Sequence, residues 1–169
     1  MARLTFTAQT QGALPTGNLI VAVQKALRQT MTEAKNDAAE KIESRYVSPQ
    51  LGTKKLKVSV RGLTGILKSS GRRNPLKKFE INPRKRLKKP PANGVFARVL
   101  KSGGGFLRHA FIAKGNVFER TGRARLPIRS FSSVSAPGML KASPVISSVI
   151  KQIEKNFSRH LQSQIAQIF

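Results

Sequence analysis

Between Asn18 and Tyr46 an apolar side chain returns every third or fourth residue, through Ile20, Val23, Leu27, Met31, Ala34, Ala38, Ile42 and Tyr46. A stripe kept up over that length commits the segment to one long amphipathic helix, because only a 3.6-residue period puts all of these side chains on one face. Pro15-Thr16-Gly17-Asn18 supplies a turn and an N-cap before it. Ser48-Pro49 closes it, since a residue preceding proline avoids helical backbone angles. The other face mixes Lys25, Arg28, Glu33, Lys35, Asp37, Glu40, Lys41 and Glu43, as a solvated surface does. A second stripe ends the chain. After Ser143-Pro144, a good helix start, Val145, Ile146, Val149, Ile150, Ile153, Phe157, Leu161, Ile165 and Ile168 keep the same spacing. Its many β-branched residues mean that packing, not propensity, must hold this helix.

Between the stripes the period shortens to two. Leu56-Lys57-Val58-Ser59-Val60 alternates as a half-buried strand does, and Lys77–Ile81 alternates again. Val95–Leu100 is a third strand, and its apolarity predicts burial on more than one side. Phe111–Ala113 and Asn116–Glu119 flank Lys114-Gly115, which predicts a hairpin. The fold class that follows is α+β: a long N-terminal helix, a small, mostly antiparallel sheet with long basic loops, and a long C-terminal helix. One domain over 1–169 is expected, with the helices at 18–46 and 143–168 around a basic sheet-and-loop region at 54–129.

Charge sharpens that division. Residues 54–129 carry twenty-two basic and two acidic side chains, so they hold +20 of the net +25 of the 169-residue chain. Charges within about 10 Å of one another interact appreciably at ordinary salt, so such a segment repels itself unless an anionic partner is near. A phosphate backbone or an acidic protein surface would serve, and sequence alone leaves the choice open. Asn82–Pro91 holds five cations between prolines, and Lys101–Gly105 reads as a flexible glycine run.

The parts needed for catalysis are scarce. There are two histidines, His109 and His160, and no cysteine, so neither thiolate chemistry nor a three- or four-ligand zinc site is signalled. His160 reads as an exposed helix residue. Five of the seven acids lie on the two helical segments. The other two, Glu80 and Glu119, have ion-pair roles to fill among so many cations, so a two-metal nuclease lacks its carboxylates. No Ser–His–Asp spacing appears. The glycine run has no following Lys-Ser or Lys-Thr and no helix to offer its N-terminus, so it is not a phosphate loop. No cofactor is implied, and the chain is read as a non-enzyme. Neither an apolar run of about 18 residues nor a signal-peptide pattern is present, so membrane insertion is not expected and synthesis in the cytoplasm is. Helix-turn-helix and zinc-finger spacings are absent too. Any nucleic-acid contact would be to the backbone, with a steep salt dependence.

The most distinctive stretch begins with Val95-Phe96-Ala97-Arg98-Val99, Lys101-Ser102-Gly103-Gly104-Gly105 and His109-Ala110-Phe111-Ile112-Ala113. It continues through Val117-Phe118-Glu119-Arg120-Thr121-Gly122-Arg123-Ala124-Arg125-Leu126-Pro127-Ile128 to Ala136-Pro137-Gly138-Met139-Leu140. From Val95 onward, order and spacing resemble the minor tail protein Z family of lambda-like bacteriophages and their prophages. That family has a basic strand, a glycine-rich turn, an Ala-Phe segment, a Val-Phe strand, Arg-Leu-Pro-Ile and a Pro-x-Met-Leu turn before a closing helix. Arg129–Val134 departs from it, since family members carry acidic and Gly-Pro residues there. The resemblance implies a virion protein, made in the host cytoplasm, that completes the head-proximal end of the tail and supports head–tail joining. It implies a homo-oligomeric ring, six-fold by preference, stacked on tail terminator, tail tube or connector proteins. On that reading Arg120, Arg123 and Arg125 face acidic surfaces of neighbouring rings. Lys85, Arg86, Lys88 and Lys89 face either such surfaces or genomic DNA in the lumen. A general basic nucleic-acid-binding protein is the alternative. For Arg125-Leu126-Pro127-Ile128 a packing role is the competing expectation: a core-edge turn with Leu126 and Ile128 buried around the proline bend.

Overall fold

A computed structural model describes residues 1–9, 17–89 and 91–167. The expected contributions of Pro15, Thr16, Pro90 and Ile168 lie outside the described residues. The chain is α+β, with antiparallel sheets between two long helices. It opens with a strand not anticipated above, β1 (Ala2–Thr7), although Ala2, Leu4 and Phe6 alternate there with polar residues. Then come α1 (Gly17–Arg45), the single-turn α2 (Gln50–Thr53), β2 (Leu56–Arg61), β3 (Thr64–Ser69) and β4 (Arg73–Pro75). Strands β5 (Glu80–Asn82), β6 (Val95–Leu100), β7 (Gly103–Leu107), β8 (Ala110–Ala113), β9 (Asn116–Arg120), β10 (Ile128–Ser130) and β11 (Ser132–Ser135) follow. The chain closes with α3 (Ala136–Leu140) and α4 (Ser143–Ile165).

The stripe of α1 is buried from Val23 to Ile42, and Tyr46 just beyond it is buried too. Ile20 is the exception and stays exposed. The helix ends at Arg45, before the Ser48-Pro49 stop, because the backbone turns into strand pairing: Val47 N–H donates to the Val99 carbonyl at 3.0 Å and Lys101 N–H to that of Arg45 at 2.9 Å. Helix α4 lies antiparallel to α1. Ser148 donates to Asp37 at 3.1 Å near one end, and Arg159 stands 3.4 Å from Glu33 towards the other. His160, expected on the exposed face, has most of its ring buried, with Nε2 3.0 Å from a Glu33 carboxylate oxygen but out of line for a hydrogen bond. Ser143 is inside the helix and not its cap. The cap position is Ala142, without a side-chain bond, and Pro144 sits in the first turn as expected.

Among the described residues the strands form four small antiparallel sheets, in the orders β1-β3-β2, β10-β9-β8, β11-β4 and β5-β6-β7. The first lies against α1, and Gly65 of β3 makes room for Met31, whose side chain occupies the space a Cβ would need. Phe6 of β1 meets Phe157 of α4 edge-to-face at 5.1 Å. One apolar core joins these layers to β5, β6, β8 and β9 through residues such as Leu67, Val95, Val117, Met139 and Val149.

Two local expectations are corrected. Lys77–Ile81 is not one strand: Leu76–Lys78 makes a 3-10 turn and only Glu80–Asn82 enters strand pairing, since Leu76 and Phe79 both reach the core and no two-residue period can bury both. The glycine run is not a flexible loop but strand β7, paired to β6 from Gly103↔Leu100 to Leu107↔Val95. Pro137-Gly138-Met139-Leu140 is also more than a turn. It lies in α3, capped by Ser135 Oγ accepting from Gly138 N–H at 3.2 Å, with Met139 fully buried.

No helix among the described residues is long and apolar enough to cross a membrane.

Candidate functional site

The hairpin β8–β9 turns at Lys114-Gly115, both with positive φ (47° and 68°). That is the mirror-image two-residue turn whose twist suits adjoining strands. Residues on it then alternate between two faces. Ala110, Ile112 and Val117 point into the core and are buried. Phe111 and Phe118, opposite one another, point outward and stack at 6.2 Å. Arg120 follows Phe118 on the outer face and lays its guanidinium 5.9 Å from the Phe111 ring centre. Ile128 of β10 is opposite Arg120 and so shares that face.

This outer face is one wall of a groove of about 720 Å³. The other wall is the Pro83–Pro91 loop, which contributes Lys85, Arg86, Leu87 and Lys88. From the β9–β10 loop, Arg125 and Leu126 reach in, and Lys114 stands at the hairpin tip. Both walls run next to a cis X–Pro bond, Asn82–Pro83 and Leu126–Pro127.

The fold therefore brings together two cationic stretches that are far apart in sequence. Of the seven candidate residues, Lys85, Arg86, Lys88, Arg120 and Arg125 line the groove. Lys89 and Arg123 are exposed but do not line it. No acidic residue is among those that line it. The two acids of the basic region are already engaged with cross-strand partners elsewhere: Glu80 pairs with Arg98 at 2.7 Å, and Glu119 with Arg129. The cations of the groove thus have no carboxylate to neutralise them on this surface.

The groove is also apolar, and here the packing reading of Arg125–Ile128 is overturned. Leu126 is 67% exposed and Ile128 39% exposed, so neither is a core residue. Leu87, on the facing loop, is 51% exposed. A turn at the end of a two-stranded projection has no core beneath it, so the proline bend carries its flanking side chains outward. Sequence reasoning missed these three and Lys114. The one available signal was Leu87 itself, an aliphatic residue set in the middle of a run of cations, where neither solubility nor a buried face calls for it.

Among the described residues no three His, Asp or Glu side chains converge as metal ligands. His109 is exposed in the turn between β7 and β8. What the groove can do is hold a ligand that is both anionic and apolar. No protein-family model, curated protein or solved structure matches the chain.

Proposed function

We propose that this chain is a structural protein of a long-tailed bacteriophage virion, which completes the head-proximal end of the tail and supports head–tail joining. On this reading it is not an enzyme. It works as an oligomeric ring, six-fold by preference, docked on tail terminator, tail tube or connector proteins, and its cations meet their acidic surfaces. The observation that carries the docking part is the groove, where Lys85, Arg86, Lys88, Arg120 and Arg125 surround exposed Leu87, Leu126 and Ile128. Interfaces are built from an apolar centre and a charged rim, and solubility alone gives no reason to expose aliphatic side chains among cations. The virion part rests on the resemblance of Val95–Leu140 to the minor tail protein Z family.

The net charge of +25 favours a second reading, a general nucleic-acid-binding protein with sequence-independent contact to phosphates. Immunogold electron microscopy of induced phage particles separates the two. Label confined to the head–tail junction at a fixed low copy number is expected. Unlabelled particles, with the protein recovered on cellular nucleic acid and released steeply by salt, would overturn the first reading in favour of the second.

A further inference from the structure

Strand β7 is the outer strand of the β5-β6-β7 sheet, and most of what it shows to solvent is backbone. Gly103, Gly104, Gly105 and Phe106 are all exposed. In a glycine the exposed surface is main chain, because no side chain supplies it. The pairing says which groups are free. Asn82 is opposite Phe96 and is followed by Pro83, which has no N–H, so Asn82 itself makes the last rung of β5. Phe96 therefore turns its N–H and C=O to β5, Ala97 turns its own to β7, and Gly105, opposite Ala97, turns to β6. Gly104 and Phe106 flank Gly105, so their N–H and C=O groups point away from the sheet. Among the described residues no other backbone group bonds to them. The usual protections of an edge are missing: β7 holds no proline and no charged side chain, and the bulge of this hairpin is on β6. Folding accounts for only one of the three glycines. A Cβ on Gly104 would strike Phe96 and the Ala97 carbonyl, but one on Gly103 or Gly105 would meet open space. Glycine inside a strand costs stability, and where packing does not require it, it marks the close approach of another backbone or a ligand.

We infer that β7 takes an extended segment of a partner protein as a fourth strand of this sheet, a segment apolar at its centre and acidic at both ends. The main chain of the segment bonds to the free groups of Gly104 and Phe106. Its large side chains fill the space beside Gly103 and Gly105 on one face. On the other face they cover Phe106, which is 58% exposed beside Phe96. Charge sets the ends. Lys101 precedes the strand and Arg108 follows it, both exposed, and among the described residues neither pairs with a carboxylate. A second copy of the chain fits less well, since antiparallel pairing of two β7 strands sets Lys101 of one copy beside Arg108 of the other. Strand addition takes affinity from the main-chain ladder, which nucleic acid does not offer. No residue of β7 lines the cationic groove, so this surface is a separate one and the inference goes beyond the proposed docking role.

A fluorescein-labelled peptide, Asp-Asp-Val-Phe-Val-Phe-Val-Asp-Asp, tests it by anisotropy on the full chain. The same peptide N-methylated at its central amides, and oligo-aspartate, serve as competitors, and each should bind about tenfold more weakly or worse. Phe106→Pro removes an outward N–H at an edge position that tolerates proline, whereas Phe106→Ala removes the same ring and keeps that N–H. The proline variant should bind the peptide about tenfold more weakly than the alanine variant, with circular dichroism spectra alike. The N-methylated peptide acts on the parent chain, so that comparison stands even where Phe106→Pro fails to fold. Lys101→Glu with Arg108→Glu should weaken binding about tenfold, and Arg120→Glu with Arg125→Glu, in the groove, should weaken it less. Equal binding by the N-methylated peptide, or by the two Phe106 variants when both are folded, overturns strand addition. Loss in the groove pair, with the Lys101 and Arg108 pair silent, overturns β7 as the site. Dimers of the chain alone in sedimentation, abolished by Phe106→Pro, give the edge to a second copy and overturn the partner. The immunogold result is independent: junction label without peptide binding rejects only this edge, and peptide binding without label rejects only the virion role.

Discussion

Gly104 shows how much a single position can decide. The three glycines of β7 are equivalent in sequence but not in surroundings. A Cβ on Gly103 or Gly105 would meet open space, whereas one on Gly104 would come to 2.8 Å from the Ala97 carbonyl oxygen and 2.6 Å from the Phe96 ring. Backbone cannot move aside as the end of a flexible side chain can, so the middle glycine is required by close strand approach and its neighbours are not. Gly104→Ala should cost about 1–3 kcal/mol, read as a lower urea midpoint at unchanged slope. Gly103→Ala and Gly105→Ala should stay within about 0.5 kcal/mol of the parent. Equal losses at all three would mean that the run is needed for its flexibility, as the sequence alone suggested. Ion pairs matter less at this scale. Arg98–Glu80 is half exposed, and pairs of that kind contribute about 0–1 kcal/mol.

At the scale of elements, burial along α4 is sharply one-sided. Ile153 is 3% exposed, whereas Ile150, expected in the same stripe but about 60° round the helix from it, is 41% exposed and lies at the stripe's edge. Ile153→Ala should therefore cost about 2–5 kcal/mol through lost burial and a residual cavity, and Ile150→Ala well under that, both measured by thermal or denaturant unfolding. The same one-sidedness made both long helices legible in the sequence, because long stripes leave little room for another period. Strand β1 was legible, since Ala2, Leu4 and Phe6 alternate with Arg3, Thr5 and Thr7, but strand β3 was not, and the reason is physical. In β3 the core-facing positions are Gly65, Leu67 and Ser69, so two of its three buried side chains carry no apolar signal. Strand β10 is exposed throughout and has no inward face to advertise. At the candidate site, the cations could be named beforehand because charge is a property of composition. Their convergence could not, since it depends on how the Pro83–Pro91 loop folds back towards the β8–β9 hairpin. Nor could the exposure of Leu126 and Ile128, because apolar residues around a proline usually mark packing, and only the position of the turn beyond the core reverses that.

For the whole molecule the governing quantity is the field of its charge. The basic middle holds twenty-two cations, and its two carboxylates, Glu80 and Glu119, are already paired with Arg98 and Arg129. The surplus therefore repels itself more strongly in the compact state than in an expanded chain. Salt acts on two opposing terms here. It weakens the few exposed ion pairs, each contributing about 0–1 kcal/mol, and it screens a net charge of +25 spread over one small surface. The second term is the larger, because pairs are few and like-charge neighbours many. Raising sodium chloride from about 0.05 M to about 0.5 M, which shortens the screening length from roughly 14 Å to roughly 4 Å, should raise the melting temperature. A fall would show that the ion pairs outweigh the repulsion. An acidic partner seated in the groove supplies the same relief locally, and it binds the native state alone, so it should stabilise the chain further by mass action. Oligo-aspartate, a simple acidic ligand, should therefore raise the melting temperature most at low salt, and lose that effect as salt takes over the screening. An effect that does not depend on salt would mean that contacts other than those with the cations supply the affinity.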